Sequence, residues 1–245
     1  MKQAPSDGRA ESSGSPTPVS ASTLSADFQP RPLGPIHKIS TMSPSTLNYY
    51  SQHSLKLAER YESADVTQLH DFLSSSLKPG GRLLELGCGS GRDAAFMVSQ
   101  GFKVLATDGA ASMVEQTKRH HPELAGHVLH LKLPDGLSNA LGIFDGIYAV
   151  AVLMHLSVPQ IKTTISAVTS LLAAKGRFAF SVPARRDDII TNEFDSKGRR
   201  FTALSSNEWK TLCLKSNLQI VRTMISEDGL GRGGIVWMNC LAEKA

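Results

Sequence analysis

Residues 83–97, LLELGCGSGRDAAFM, limit the fold more than any other stretch of the chain. An apolar run of strand length leads into glycines at 87, 89 and 91, and a helix-forming segment follows. A short strand that is apolar on both sides of its pleat belongs in a sheet covered on both faces, which means a parallel one. Three alternate glycines behind it make a strand-to-helix turn that can enter the left-handed region and be approached closely by another group. In open α/β sheets the crevice beyond the strands' carboxyl ends is where ligands sit, and the free N–H groups of the next helix face it. Glycine turns of this kind also serve close packing alone, so the glycines by themselves leave both uses open.

The remaining chain supplies the sheet. Leu47, Tyr50, Leu57, Ala58 and Tyr61 share one helical stripe, and so do Val66, Leu69, Phe72, Leu73 and Leu77. Two helices are therefore expected before the turn Pro79-Gly80-Gly81. Strands are expected at residues 82–86, 103–107, 128–133, 144–152 and 177–182, with helices at 92–100, 111–119 and 159–173 between them. Such alternation predicts βαβ crossovers with helices on both faces of a parallel sheet. Ser205 and Glu208 then have capping-box spacing ahead of a helix to about residue 215. Strands at 218–225 and 235–242 are joined by a Gly-rich loop with no helix, which makes them an antiparallel pair. The expected fold is α/β and Rossmann-like: a doubly wound, mostly parallel seven-stranded sheet with a C-terminal antiparallel hairpin.

The first 45 residues are rich in Ser and Pro and lack apolar periodicity, so residues 1–45 read as a disordered tail and 46–245 as the domain. The tail has no signal-peptide core, and Asp7 and Glu11 argue against a transit peptide. The longest apolar run, residues 147–154, is strand length and far short of a membrane span. Cys88, Cys213 and Cys240 are too few for a disulfide framework, which points to the cytoplasm. A net charge of +4 with no basic run longer than two residues argues against a nucleic-acid surface. No His/Cys cluster has metal-ligand spacing. The oligomeric state is left open by the sequence.

Two acidic residues narrow the ligand. The third glycine of the dinucleotide fingerprint, three positions beyond Gly89, is missing, since Arg92 stands there. Glu85 lies inside the first strand where a dinucleotide site carries an apolar residue, and a buried carboxylate calls for a cationic partner. Asp108 ends the second strand, 23 residues after Glu85, placed to accept from both hydroxyls of a ribose. A ligand with a ribose, a cationic amino group and no phosphate is S-adenosylmethionine.

At this point the chain resembles the class I, seven-stranded S-adenosylmethionine-dependent methyltransferases, in particular the small bacterial type 11/25 branch near the tellurite-resistance methyltransferases. "LLELGCGSGRDA" and "VLATDGAASMV" match the first two family motifs, "FDGIYAVAVLMHL" the fourth-strand motif, and "SEDGLGRGGIVWMN" the ending, over residues 47–244. The resemblance implies that Glu85, Gly87, Gly89 and Gly91 line the methionine end of the cofactor, with Cys88 as a small residue of the turn and not a nucleophile. It also places Asp108 on the ribose and Gly109 and Met113 near the adenine, with Ala149 and Val150 flanking the reactive methyl. Tyr49 and Tyr50 fall on the leading helix that folds over the cofactor, though a packing stripe accounts for them too. "HLKLPDGL" departs from the pattern of an acidic or polar residue beside the adenine, and Asp135 is the residue it offers there.

The function implied is methyl transfer to a small-molecule acceptor. A non-catalytic cofactor-binding or regulatory protein of the same fold is the alternative, and a methyltransferase acting on protein or RNA is a further one. An oxidoreductase is disfavoured by the glycine spacing, Glu85 and the hairpin. His155, just after the fourth strand, is the candidate general base, against a plain structural histidine. Arg185, Arg186 and Arg199 lie in the 183–201 loop, where they either receive an anionic acceptor or pair with Asp187 and Asp188. Arg185 is the candidate for a bidentate contact. That loop is long enough for a lid. Arg232 and Trp237 are expected to fix the terminal hairpin.

Overall fold

In the computed structural model, which describes residues 42–187 and 193–245, helices α1 (Pro44–Glu62) and α2 (Thr67–Ser76) precede the sheet. The parallel part alternates β1 (Arg82–Leu86), α3 (Arg92–Ser99), β2 (Lys103–Asp108), α4 (Ala111–His120), β3 (Val128–His130), β4 (Phe144–Val150), α5 (Val158–Leu171) and β5 (Leu172–Arg186). The chain then adds α6 (Ser206–Lys215), β6 (Leu218–Glu227) and β7 (Ile235–Lys244). The seven strands form one sheet in the order β3-β2-β1-β4-β5-β7-β6. Strands β1 to β5 run parallel. β7 slots between β5 and β6 and is antiparallel to both.

Alternation along the strands fills a core on each face of the sheet. Leu84, Leu86, Ile147, Phe178 and Phe180 pack with Ile161 and Ile165 of α5 and Trp209 of α6. Leu83, Tyr148 and Ala179, of the opposite parity, pack with Phe72 and Leu73 of α2 and with Ala94 and Met97 of α3. By the same parity Glu85 belongs to the α2/α3 face. The capping box opens α6 as its spacing predicts: the Ser205 N–H donates to Glu208 Oε2 at 2.7 Å, and the Glu208 N–H donates to Ser205 Oγ at 3.3 Å.

Several boundaries differ from the sequence reading, each for a local reason. β3 stops at His130, not residue 133. Beyond it Leu131 and Leu133 turn into the core, and the Leu133 carbonyl accepts the N–H of Met42 at 3.1 Å. β4 stops at Val150 because Ala151 takes a left-handed φ of 54° and the chain turns away. β5 starts at Leu172, well before residue 177, because Leu172 already pairs with Phe144 ahead of the irregularity at Lys175-Gly176. Residues 1–41 of the expected tail lie outside the described residues. Residues 42–45 belong to the domain: Met42 is buried in the larger core, and Pro44 opens α1.

Candidate functional site

A cavity of about 790 Å³ opens at the carboxyl ends of the parallel strands, lined there by Gly87, Asp108, Leu131, Val150 and Ser181. That size falls within the range of small-molecule sites. α1 and the β6–β7 loop close its sides, through Tyr50 and Tyr61 on one and Asp228 to Arg232 on the other.

The glycine turn divides into two jobs. Gly87 sits at φ +76°, and a Cβ there would lie 2.7 Å from Val152 Cγ2. Gly91, the N-cap of α3, sits at φ +93°, where a Cβ would lie 2.6 Å from Thr117 Cγ2. Both are glycine for conformation and packing. Gly91 is not among the residues lining the cavity, contrary to the expectation that it borders the ligand. Gly89, also left-handed at φ +59°, does line it, and a Cβ there would make only ordinary contacts, 3.4 Å from the Tyr61 ring and 3.8 Å from Met113 Cε.

Asp108 ends β2 with both carboxylate oxygens anchored to backbone. Its Oδ2 accepts the Gly89 N–H at 3.0 Å and its Oδ1 the Ala110 N–H at 2.8 Å, which leaves a lone pair of each for the cavity. Burial raises its pKa to about 6 in spite of these donors. Glu85 is fully buried, and its Oε2 has no hydrogen-bond partner among the described residues. Burial, and then the nearby Asp93 carboxylate, push Glu85 well above the usual carboxylate range. Asp93 itself is satisfied. It accepts from Arg92 Nε at 2.8 Å and from His70 Nε2 at 2.9 Å, and against burial, which raises its pKa, Arg92 and His70 together hold it at about 2. Glu85 does not line the cavity, contrary to expectation; it lies buried behind the turn, where the Tyr148 hydroxyl, itself without a hydrogen-bond partner among the described residues, acts on it.

At the other end of the cavity, β4 and β5 present His155, Arg186 and, from the chain beyond β5, Arg199 and Phe201. His155 is buried. Its Nδ1 must donate to the Arg200 carbonyl, 2.6 Å away, so Nε2 accepts from the Tyr50 hydroxyl at 2.8 Å. Burial, helped by the Arg199 and Arg186 charges, lowers the His155 pKa to about 4 against the Arg200 carbonyl, which raises it. Asp228 accepts from Arg232 Nη2 and Trp237 Nε1 at 2.7 and 3.0 Å, so these residues do fix the hairpin loop as expected, while also lining the cavity.

Of the other sequence candidates, Tyr50, Cys88, Gly109 and Val150 line the cavity. Met113 lies beneath it, packed with Leu57 and Ala110. Ala149 faces the α5/α6 core and does not reach the cavity, because the pleat alternates and Val150 takes the open side. Asp135 also lies outside it: the chain leaves the sheet at His130, and Leu131 and Leu133 form the wall instead. Arg185 is displaced by the same alternation. Its side chain is 60% exposed beside Asp187, and its neighbour Arg186 lines the cavity. Asp188 falls outside the described residues, as does part of the proposed lid. Asp93, His70 and Asp228 were missed by sequence reasoning. Only Asp93 had a signal, an acid in the first turn of the helix behind the glycines.

Among the described residues, no helix is long and apolar enough to cross a membrane, and no group of three or more His, Cys, Asp or Glu could hold a metal. Comparison with known proteins matches residues 47–223 to the family model described as "Methyltransferase domain". The chain is 31% identical over 137 residues to the ubiquinone biosynthesis O-methyltransferase of Xanthomonas axonopodis pv. citri, covering 51% of this chain and 56% of that one. It thus spans about half the length of that curated relative. The fold is shared with the 1,6-didemethyltoxoflavin-N1-methyltransferase of Burkholderia thailandensis, solved with bound 1,6-didemethyltoxoflavin and S-adenosylhomocysteine, at a TM-score of 0.61 and 20% identity over 89% of this chain and 95% of that one. The [4+2]-cyclase SpnF has the same fold at a TM-score of 0.60 and 15% identity, over 83% and 97% of the two chains.

Proposed function

The chain belongs to the methyltransferase-domain family, and from that premise we propose that it transfers a methyl group from S-adenosylmethionine to a small-molecule acceptor. The observation that carries this is Asp108 at the edge of the glycine turn. It lines the cavity, and each of its two oxygens accepts one backbone N–H and keeps capacity for a ribose hydroxyl. Glu85 is buried behind the turn and outside the cavity lining, so it meets no ligand group directly. A pyrophosphate would be repelled by ionised Asp108.

When bound, S-adenosylmethionine supplies a methyl group on a sulfonium, a good leaving group for in-line displacement. The residues of this chain would then do the positioning. Asp108 would hold the ribose, and the backbone at Gly89 would admit the cofactor against the turn. Leu131, Leu133 and Leu47 would form an apolar wall for the base, with Gly109 packed under Leu47. Val150, at the end of β4, would separate this half from the acceptor half. Orientation of two reactants with water excluded can supply most of the acceleration such a displacement needs. His155, kept neutral and weakly basic, would act by holding Tyr50 and so serves as a positioning residue, not a strong general base.

SpnF shows that this fold also serves a [4+2]-cyclase, so the test must detect the methyl group itself. S-adenosylmethionine labelled in its methyl group is incubated with the protein and pooled small metabolites. Transfer of label with formation of S-adenosylhomocysteine is expected. Cofactor binding with no transfer across the pools would favour the non-methylating reading.

A further inference from the structure

Beyond Val150 the sheet turns polar where it meets the cavity. Val150 of β4 pairs with Ser181 of β5, and Ser181 with Asn239 of β7, so the three form one row across the sheet. One pair further down each strand, on the same face, Tyr148, Ala179 and Leu241 fill the α2/α3 core. Ser181 and Asn239 are only 4% and 1% exposed, yet both line the cavity. Polar side chains this deep cost stability unless they are bonded. The Asn239 amide is bonded on one side alone: Nδ2 donates to Ser226 Oγ at 2.9 Å and to the Met224 carbonyl at 3.4 Å. Those two acceptors fix which end of the amide is nitrogen and leave Oδ1 as the free acceptor. Among the described residues neither Asn239 Oδ1 nor Ser181 Oγ has a hydrogen-bond partner, and neither is closed off from the cavity. Trp237, the next residue of the same parity on β7, also lines the cavity and is held by Asp228 through Nε1 at 3.0 Å.

We infer that Ser181 and Asn239 are specificity-determining residues that receive an uncharged group of the methyl acceptor, one with a donor and an acceptor side by side, as on the N–H and C=O edge of an amide or lactam. The ligand N–H donates to Asn239 Oδ1, which can only accept, and its carbonyl accepts from the Ser181 hydroxyl. Directly paired residues of antiparallel strands stand about 4.5–5.5 Å apart, close enough for one such edge to meet both. A carboxylate would set an oxygen against Asn239 Oδ1 with no hydrogen between them, so the row disfavours an anion. The pair lies one and two strands beyond Val150, on the side away from the glycine turn. Calling this ligand the acceptor rests on the methyl-transfer reading, but its binding needs no cofactor.

2-Pyridone, a planar lactam, and N-methyl-2-pyridone, which keeps the carbonyl and loses the N–H, serve as probes in ligand-observed NMR titrations of the full chain. Benzoate is the anionic control, and each titration is run with and without S-adenosylhomocysteine. 2-Pyridone is expected to bind about tenfold more tightly than either of the others, and alongside S-adenosylhomocysteine. Ser181→Ala is expected to weaken 2-pyridone by about tenfold. Its melting temperature should equal or exceed that of the wild type, because the hydroxyl it removes has no partner within the protein; a merely structural serine would lower it. Asn239→Leu should weaken 2-pyridone likewise, but it also releases Ser226, so Ser181→Ala decides. The subsite is overturned by equal binding of the two pyridones, by tighter binding of benzoate, or by no binding of 2-pyridone to the wild type. It is overturned too if Ser181→Ala leaves 2-pyridone affinity unchanged or lowers the melting temperature, or if S-adenosylhomocysteine displaces the probe. If 2-pyridone binds as expected while S-adenosylhomocysteine does not, the subsite stands and the methyl-transfer reading falls.

Discussion

At the scale of single residues, the cavity is set by two groups shifted in opposite directions. Asp108 has its pKa raised from 3.8 to about 6 by burial. Its contribution to stability is therefore complete below pH 3.8 and lost as pH rises through 6. His155 is lowered from 6.5 to about 4 by burial, so its contribution is complete above pH 6.5 and lost as pH falls through 4. Each shift corresponds to on the order of 3 kcal/mol across its window, and the two oppose each other between pH 4 and 6. Asp108→Asn removes one side of that balance. Melting temperatures followed from pH 6.5 to 4 should fall more steeply in this variant than in the wild type, and equal slopes would contradict the burial assigned to Asp108. The sequence made Asp108 legible because a lone acid ending a strand has few other uses. It did not make Arg186 legible over Arg185, because which of two adjacent arginines faces the cavity depends on the strand continuing to residue 186. The spacing gave no sign that β5 runs on so far.

At the scale of elements, the alternating pattern located all seven strands because strands buried on both faces are nearly continuous apolar runs. The errors lie at ends, where tertiary partners decide. Met42 is the clearest case: no periodicity surrounds it, yet its side chain is buried in the larger core and its N–H meets the Leu133 carbonyl. Met42→Ala should cost about 2 kcal/mol or more. For a domain of this size that is a fall of roughly 4–8 °C in melting temperature. A melting temperature within a degree of wild type would show that the domain begins after this residue. The cap of α6, by contrast, was readable from two residues alone. Ser205→Ala removes the acceptor of the Glu208 N–H and should cost about 1 kcal/mol, measured by denaturant midpoint at constant slope. No change would mean that Glu208 caps the helix without it.

At the scale of the whole molecule, the strand order puts the glycine turn of β1 at the point where the chain reverses direction across the sheet, between β2 and β4. That is where an open α/β sheet leaves a crevice. The antiparallel insertion of β7 beside β5 brings the 228–232 loop over the same crevice, so the glycine-turn end and the His155 end share one cavity. The order of elements in the sequence predicted the crevice beyond β1 and an antiparallel terminal pair, but not that β7 inserts beside β5. Nor did it assemble the His155 end of the cavity, since its residues come from α1, β5, the segment after it and the hairpin, which only the fold brings together. The central claim is that Asp108, at the cavity edge of the turn, binds S-adenosylmethionine. Calorimetric titration of S-adenosylhomocysteine and of NAD into the wild type and Asp108→Ala tests it most directly. Micromolar binding of S-adenosylhomocysteine is predicted, weakened by roughly tenfold to several thousandfold in the variant as one or two hydrogen bonds to a charged acceptor are lost, with no binding of NAD. Binding of NAD without S-adenosylhomocysteine, or an unchanged affinity in Asp108→Ala, would contradict it.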